Sequence, residues 1–264
     1  MKNILELQKK NFVITDKNVE QYADKIATWI SQQVQATHSE GVVLGMSGGI
    51  DCSVVARLCQ LAQVDIELVL MPYGDDMEKT SSYSHSMELI NKFKFLHHSY
   101  DIKPAVDALA ISGDSWHVGN KLKLDLARAN IRPRVRMAYL YEYAQLNNFL
   151  VIGTGNLSER MIGYFTKWGD GGCDLNPIGM LTKREVYVLA SYLRIPNSII
   201  QKKPSAGLWE GQTDEDEIGI TYAQIDDYLL YGTSGNIEIN QMIERKIKFA
   251  NHKLVPIPIF LDCA

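Results

Sequence analysis

Apolar residues recur along this chain in two alternating patterns, short continuous runs and longer stretches with helical spacing. The runs 42–46 and 66–71 and the start of 149–156 are almost wholly apolar, as buried parallel strands are. A weaker strand is predicted over 95–98. Helical spacing predicts helices over 18–36, 52–62, 79–93, 120–147, 182–193, 221–230 and 237–250. This alternation indicates an α/β fold, a parallel sheet with helices on both faces.

Two of these helices carry predictions about where they begin or break. Asp75 and Asp76 are capping candidates for the helix over 79–93. Pro133 should kink or divide the long helix over 120–147.

Two of the predicted strands end in glycine turns, at 47–49 and 153–155. In open α/β sheets, ligands bind beyond the carboxyl ends of the strands. The two turns therefore meet at one crevice if their strands are neighbours. Long polar loops over 164–180 and 201–220 are further candidates for functional segments.

The first turn, within the stretch VVLGMSGGIDCSVVA over 42–56, suits a phosphate or pyrophosphate group. Gly48 and Gly49 have no Cβ, so the backbone can approach an anion closely. The helix that follows directs free N–H groups at the same place. A Walker-type loop would supply a lysine, whereas Asp51 stands here, and an acid beside phosphates fits mainly when a divalent cation lies between them. A tight turn without a ligand is the alternative.

Composition narrows the class of protein. With 264 residues and 46% hydrophobic content, the chain can form one large domain over 1–264, or one domain with appendages. A net charge of −4 gives no field that favours nucleic acid. No run of about eighteen apolar residues occurs, and early charges leave no signal-peptide core, so we expect no membrane span and a cytoplasmic protein. The cysteines lack zinc-site spacing and are expected to be reduced thiols.

Charged residues near the expected crevice suggest two kinds of site. Asp51 and Glu159, the latter on the predicted loop after the second glycine turn, would together suit magnesium, although either acid alone could be a helix cap. Lys183 stands at the beginning of a helix, where a cation is unfavourable unless an anion lies there. The other candidate partners of an anion are Arg134, Lys167, His252 and Lys253.

The loop GDGGCDLNP has an unusual backbone path, fixed by its glycines and proline. Asp174 within it is either a turn-forming residue or an acid directed at a substrate. Cys173 has no histidine nearby in the sequence, which argues against a nucleophile.

The loop SGGIDCS resembles the SGGxDS loop of the ATP pyrophosphatases that form adenylates, which include GMP synthetase, asparagine synthetase, tRNA-thiolating enzymes and NAD synthetase. Further blocks resemble, in this order, the ammonia-dependent NAD synthetases. They are NIRPRVRM (130–137), VIGTGNLSE (151–159), GYFTKWGDGG (163–172), LTKREV (181–186), KKPSAGLW (202–209), GQTDEDEIGITYAQIDDYL (211–229) and HK (252–253). The resemblance implies a Rossmann-like sheet of the adenine nucleotide alpha hydrolase type.

The resemblance also implies roles for the matching residues. Those that would hold the ATP phosphates are Gly45, Met46, Ser47, Gly48, Gly49, Ile50, Asp51 and Cys52, and those that would also contact ATP are Thr154, Lys183 and Ser205. Asp51 and Glu159 would bind Mg²⁺. The residues that would contact deamido-NAD are Arg134, Phe165, Lys167, Asp174, His252 and Lys253, with Phe165 stacking on the pyridine ring. Catalysis is expected to involve Asp51, Lys183 and Asp174, the last as the base that takes a proton from ammonium.

The implied reaction uses ATP as co-substrate and Mg²⁺ as cofactor. The nicotinate carboxylate attacks the α-phosphorus of ATP, and ammonia then attacks the acyl-adenylate to give NAD and AMP. No segment is long enough for an N-terminal glutaminase or nitrilase domain, so ammonia, free or from a separate protein, is the expected nitrogen source. Family members are homodimers with the substrate pocket across the subunit interface. The helix over 120–147, with Tyr139, Tyr141 and Tyr143, is the expected interface element.

Three alternatives remain at this point. The same chemistry could act on nicotinate mononucleotide, which shares the reacting end of the dinucleotide. Another acceptor, as in tRNA thiolation, would call for a basic face and paired reactive cysteines. A regulatory nucleotide-binding module would need no second metal acid. The chain departs from the family pattern at Cys52, where serine is usual, at Ser205, where threonine is common, and at Leu254, where arginine is frequent.

Overall fold

The structure is a computed structural model that describes residues 11–74, 80–111, 121–204 and 213–260. The strands are β1 (Gly41–Gly45), β2 (Asp65–Leu70), β3 (Leu96–Ser99) and β4 (Phe149–Val151). The helices before β4 are α1 (Val19–Ala36), α2 (Ile50–Leu61), α3 (Ser81–Phe93), α4 (Lys103–Ile111), α5 (Lys121–Ala129) and α6 (Ile131–Asn147). Those after β4 are α7 (Leu157–Ile162), α8 (Lys183–Tyr192), α9 (Asn197–Ile200), α10 (Asp214–Ile218), α11 (Tyr222–Tyr231) and α12 (Ile237–Leu254).

The four strands form one parallel sheet in the order β3-β2-β1-β4. Strand β1 pairs with β2 on one side and with β4 on the other, so the two glycine turns lie at the ends of adjacent strands. The condition under which the sequence places both turns at one crevice is therefore met. After β1 the chain forms β2 and then β3 on one side of it, and it returns to the other side of β1 as β4. A crevice of this kind is the usual ligand site of an open α/β sheet.

Helices cover both faces of the sheet at its inner strands, where successive residues point to opposite faces, whereas the residues of the edge strand β3 are exposed. Leu44 and Leu68 join a large core with α1, α2 and α8 on one face. Val43 and Val69 join a second core with α4 and α6 on the other face. The predicted α/β fold with helices on both faces is therefore confirmed.

Several local features differ from the sequence predictions. The long helix divides, as predicted, but the break is at Asn130 and not at Pro133. Pro133 lies in the first turn of α6, where its missing N–H costs no hydrogen bond. Helix α3 is capped by Thr80, whose side chain accepts a hydrogen bond from the Tyr83 N–H. Asp75 and Asp76 lie outside the described residues. The helices α4, α7, α9 and α10 were not predicted, because each is short and weakly periodic.

Within the described segments, no helix is both long enough and apolar enough to cross a membrane.

Candidate active site

The loop between β1 and α2 is held tightly at the crevice. The Met46 N–H donates to the Val69 carbonyl at 2.9 Å, which extends the β1–β2 ladder into the loop. Gly48 has a φ of +72°, and a Cβ on it would lie 2.1 Å from the Ser82 carbonyl oxygen. Glycine is therefore required here on two grounds, its backbone conformation and the close packing of α3. The N-terminus of α2 begins directly after this turn.

Three helices begin at this crevice and place three charged side chains together. Asp51 lies in the first turn of α2, Glu159 in the first turn of α7 and Lys183 at the first position of α8. The Lys183 Nζ is 2.7 Å from Asp51 Oδ2 and 3.0 Å from Glu159 Oε1. Lys183 is only 2% exposed, so its ammonium depends on these two carboxylates for compensation. The anion that the sequence required at the start of this helix is the carboxylate pair.

Glu159 lies on a helix, and the prediction that it stands on a loop was wrong. Asn156 and Glu159 form a reciprocal capping box, in which Asn156 Oδ1 accepts from the Glu159 N–H at 3.0 Å. Asn156 also donates from Nδ2 to Asp51 Oδ1 at 2.9 Å. One buried amide thus starts helix α7 and orients both acids. The spacing of Asn156 and Glu159 is a known helix-start signal and could have revealed α7 in the sequence.

A second layer of residues surrounds the acid–lysine cluster. The Tyr222 hydroxyl lies 3.0 Å from Asp214 Oδ2 and 3.3 Å from Glu159 Oε1. Asp226 accepts hydrogen bonds from the Ser158 hydroxyl and the Arg184 N–H, which joins the starts of α7 and α8. The sequence reasoning missed these residues, since they come from distant helices and have no local motif.

Burial and charge act in opposite directions on the ionisable groups of this cluster. Burial raises the pKa of Glu159 above its ordinary value, and the Lys183 charge opposes that rise. Burial alone would lower the pKa of Lys183, but Asp51 and Glu159 raise it above its usual value. Lys183 is therefore held in its charged form, because the two neighbouring carboxylates raise its pKa.

The donor set fits a magnesium ion. Mg²⁺ usually takes one or two carboxylates and completes its shell with waters and phosphate oxygens. Asp51 and Glu159 supply two such carboxylates, which already converge on one cation, the Lys183 ammonium. The phosphate-type loop adjoins them through Asp51 itself.

Cys52 takes part in the loop through its thiol. Its Sγ lies 3.2 Å from Ser47 Oγ and 3.1 Å from the Gly49 carbonyl oxygen. Ser53 turns away from the loop surface and donates its hydroxyl hydrogen to the same Gly49 carbonyl at 2.7 Å. The loop is therefore braced from inside by a thiol and a hydroxyl. Cys52, Cys59 and Cys173 are free thiols, as expected.

Asp174 is fixed at the carboxyl end of β4. Its Oδ2 accepts from the Val151 N–H at 2.8 Å, and its Oδ1 accepts from the Tyr141 hydroxyl at 3.0 Å. The backbone N–H of Asp174 also donates to the Val151 carbonyl. The loop after β4 thus runs beside the strand, with the carboxylate held at the sheet edge.

The remaining predicted substrate residues gather where α12 meets the loop after α7. The Lys253 Nζ donates to the Gly163 and Phe165 carbonyls at 2.7 Å each and lies 5.0 Å from the Phe165 ring centre. The Lys167 Nζ donates to the His252 carbonyl at 2.6 Å. Burial lowers the pKa of Lys253, Asp170 counters this, and nearby Arg134 lowers it further. The group is cationic, and no hydrogen bond in the described chain joins it to the Lys183 cluster.

The arginines of α6 face different ways. Arg134 is exposed and donates to the Asn130 carbonyl at 3.3 Å. Arg136 turns inward and donates from Nε to the Met71 carbonyl, just after β2, at 2.9 Å. Burial, followed by the Arg132 charge, lowers the pKa of Arg136 to about 10. Sequence reasoning left the choice among these arginines open, because the faces of α6 depend on how it packs.

The two other predicted ATP contacts differ in what the structure describes. Thr154 lies in the turn between Gly153 and Gly155, beyond β4 and two residues before Asn156. Ser205 lies outside the described residues. Tyr139, Tyr141 and Tyr143 pack against the second core within their own chain. That their helix forms a subunit interface stays a prediction.

Comparison with known proteins matches most of the chain to one family. The model of the NAD synthase family matches residues 22–255. The chain belongs to the NAD synthase family. It is 42% identical over 237 residues to the NH(3)-dependent NAD(+) synthetase of Carboxydothermus hydrogenoformans, covering 89% of this chain and 95% of that relative. It is 41% identical to the enzyme of the same name from Finegoldia magna, covering 89% and 94%.

Solved structures of the NAD synthase family share the fold. A structure of NMN synthetase from Francisella tularensis matches with a TM-score of 0.84 and 36% identity, covering 94% of this chain and 100% of that one. An NH3-dependent NAD synthetase from Campylobacter jejuni matches with a TM-score of 0.73 and 30% identity, covering 92% and 99%. The Rossmann-like parallel sheet is therefore a property of this chain and its relatives.

Proposed function

We propose that this chain is a C–N ligase that amidates deamido-NAD with ammonia, using ATP, in the last step of NAD synthesis. The observation that carries the proposal is the buried Lys183 between Asp51 and Glu159 beside a lysine-free phosphate loop. The relatives that match nearly the whole chain are named NH(3)-dependent NAD(+) synthetases. Their name supports ammonia as the nitrogen donor.

The chemistry proceeds in two steps in this proposal. The nicotinate carboxylate oxygen attacks the α-phosphorus of ATP, the bond to the β-phosphate oxygen breaks, and pyrophosphate leaves. Ammonia then attacks the acyl carbon, the bond to the AMP oxygen breaks, and NAD and AMP are released. Both substrates are anionic, so the cationic residues must lower their repulsion while the site holds them in line.

Each cluster has a part in this scheme. The β1–α2 loop and the N-terminus of α2 would hold the phosphates. Asp51 and Glu159 would hold Mg²⁺, which when bound would neutralise charge on the triphosphate and on the leaving pyrophosphate. Lys183 would stabilise charge around the reacting α-phosphate. Asp174 would take the proton that ammonium must lose before nitrogen can attack.

We also propose that the enzyme is a homodimer with a substrate site shared between subunits. Arg134 supports this, since it is exposed and lies close enough to Lys253 to lower the pKa of that lysine. In this arrangement the guanidinium would reach the substrate held by the neighbouring subunit.

A second candidate substrate is nicotinate mononucleotide. The match to a structure of NMN synthetase, with a TM-score of 0.84, favours it specifically, because the two NAD synthetase structures from Campylobacter jejuni and Burkholderia pseudomallei give 0.73 and 0.76. Both substrates present the same carboxylate to ATP. The difference lies in the adenylate half, which only the dinucleotide carries.

The test is AMP release in the presence of ATP, magnesium and ammonium, with each acid in turn. The proposal predicts AMP with deamido-NAD, at a higher kcat/KM than with nicotinate mononucleotide. The reverse preference would establish the second candidate. No AMP with either acid would contradict the ligase assignment.

A further inference from the structure

Lys202 is a half-buried lysine beside the phosphate loop that nothing above assigns. It follows the short helix α9, and its Nζ donates to the Ser82 Oγ at 2.9 Å, in the first turn of α3. Ser82 is the residue whose carbonyl oxygen closes over Gly48. The contact joins positions 120 residues apart in the chain, so the fold rather than local sequence brings this ammonium to the loop.

The other side of Lys202 faces the start of α2. Cys52 is close enough to raise the pKa of Lys202, which burial lowers. The Cys52 thiol in turn contacts Ser47 and the Gly49 carbonyl. Ser82 and Cys52 thus both lie against the turn Gly48–Gly49, and Lys202 contacts Ser82 directly.

Among the residues that the structure describes, none supplies a counter-charge to this ammonium. Its hydrogen-bond partner is a neutral hydroxyl, and no carboxylate of the described residues contacts it. Lys183, by comparison, is compensated by two carboxylates. A partly buried cation without an anion is unfavourable, and an arriving phosphate would remove that cost.

We propose that Lys202 is the cation that binds the β- and γ-phosphates of ATP and the departing pyrophosphate. This inference rests on the proposed function, since it assigns a role within the same ATP site. A phosphate loop of the Walker type carries its own lysine, whereas this loop carries Asp51. Lys202 supplies the missing charge from another segment, through its contact with Ser82 beside Gly48.

The experiment compares Lys202→Met with Lys203→Met in the full-length enzyme. Lys203 is the adjacent lysine and is exposed, so it serves as the matched control. AMP release gives KM for ATP and the inhibition constants of pyrophosphate and of AMP. For Lys202→Met we expect KM for ATP and the pyrophosphate constant to rise roughly tenfold or more, because hydrogen bonds to charged groups contribute that much.

The inhibition constant of AMP separates phosphate binding by Lys202 from a purely structural role of this lysine. AMP has no β- or γ-phosphate, so its inhibition constant should stay unchanged in Lys202→Met. Lys202→Arg should recover most of the pyrophosphate affinity, whereas Lys202→Gln, which keeps a donor for Ser82 but no charge, should not. Pyrophosphate constants of Lys202→Met and Lys203→Met that agree within about twofold would overturn the proposal. An equal rise for AMP and pyrophosphate would do so as well.

Calorimetric titration with inorganic pyrophosphate and magnesium distinguishes a failure of the Lys202 proposal from a failure of the proposed ligase activity. It needs no turnover, so it decides on Lys202 even if the unaltered enzyme releases no AMP, a result that would count against the ligase assignment alone. Weaker pyrophosphate binding by Lys202→Gln than by Lys203→Met supports the role, and equal binding contradicts it.

Discussion

At the scale of single residues, Lys183 and Asp174 are each held by named partners. A lysine at the first position of a helix is disfavoured by the helix dipole. Lys183 is stable there because Asp51 and Glu159 lie within 3.0 Å of its ammonium. Asp174 is likewise fixed, between the Val151 N–H and the Tyr141 hydroxyl. The two acids at the metal position and the acid at the sheet edge therefore have different surroundings and different expected roles.

The role of Asp174 as the base can be tested with Asp174→Asn. The amide cannot take a proton from ammonium, so amide formation should fall by at least about a hundredfold, the lower end of general-base contributions. Adenylate formation should be nearly unchanged. It is measured as pyrophosphate release in a single turnover without ammonium.

Tyr141→Phe is the control for Asp174→Asn, because it removes a hydrogen bond to Asp174 and leaves the carboxylate in place. We expect a much smaller loss of amide formation in this variant. Equal losses of both half-reactions in Asp174→Asn would contradict the role as base and indicate a structural one.

At the scale of elements, the site is an arrangement of helix starts around two adjacent strand ends. The N-termini of α2, α7 and α8 converge beyond β1 and β4. The start of α8 is secured by Glu185, which is fully buried and accepts from the Thr182 N–H and hydroxyl and from the Ile14 N–H, each at 2.8 Å. That capping box positions Lys183, the next residue after Thr182.

Removal of this cap should be costly. Glu185→Ala should lower the free energy of unfolding by about 2–4 kcal/mol, because it leaves buried donors without acceptors. Asp227→Ala removes an ion pair with Arg184 whose side chains are each 40% exposed, and should cost less than about 1 kcal/mol. Chemical denaturation measures both. A Glu185→Ala cost as small as that of Asp227→Ala would show that the cap does not secure the start of α8.

The strands, the glycine turns and most long helices could be predicted from the sequence, because hydrophobic periodicity and turn residues act locally. The sequence pattern predicts a loop where helix α7 lies, although Asn156 and Glu159 carry the capping signal of that helix. The Tyr222 and Asp214 contacts and the position of Lys202 could not be predicted, since they join segments far apart in the chain. The inward turn of Arg136 likewise depends on how α6 packs on the sheet.

At the scale of the whole molecule, the residues proposed to bind the substrates fall into two groups on one chain. The acid–lysine cluster lies at the strand ends, and the cationic group lies where α12 meets the loop after α7. A dinucleotide is long enough to engage separate groups, and the exposed Arg134 suits a site completed by a second subunit. This arrangement leads to a prediction about mixed subunits.

Mixing two inactive variants tests the shared site. Asp51→Asn and Arg134→Ala should each abolish activity alone if each removes an essential contact. If Arg134 acts in the partner's site, a heterodimer of the two variants has one intact site. An equal mixture should then recover about one quarter of the normal activity, because half the dimers are mixed and half of their sites are intact. Recovery of no activity after verified subunit exchange would place Arg134 and Asp51 in the same site.

The most direct test of the account follows oxygen from the acid to the nucleotide. Deamido-NAD with ¹⁸O at both oxygens of its nicotinate carboxylate is incubated with the enzyme, ATP, magnesium and ammonium. The products are then analysed by mass spectrometry. Attack of the carboxylate on the α-phosphorus predicts one ¹⁸O atom in AMP for each NAD formed, with none in pyrophosphate. Label in inorganic phosphate with release of ADP, or unlabelled AMP, would contradict an adenylate-forming ligase.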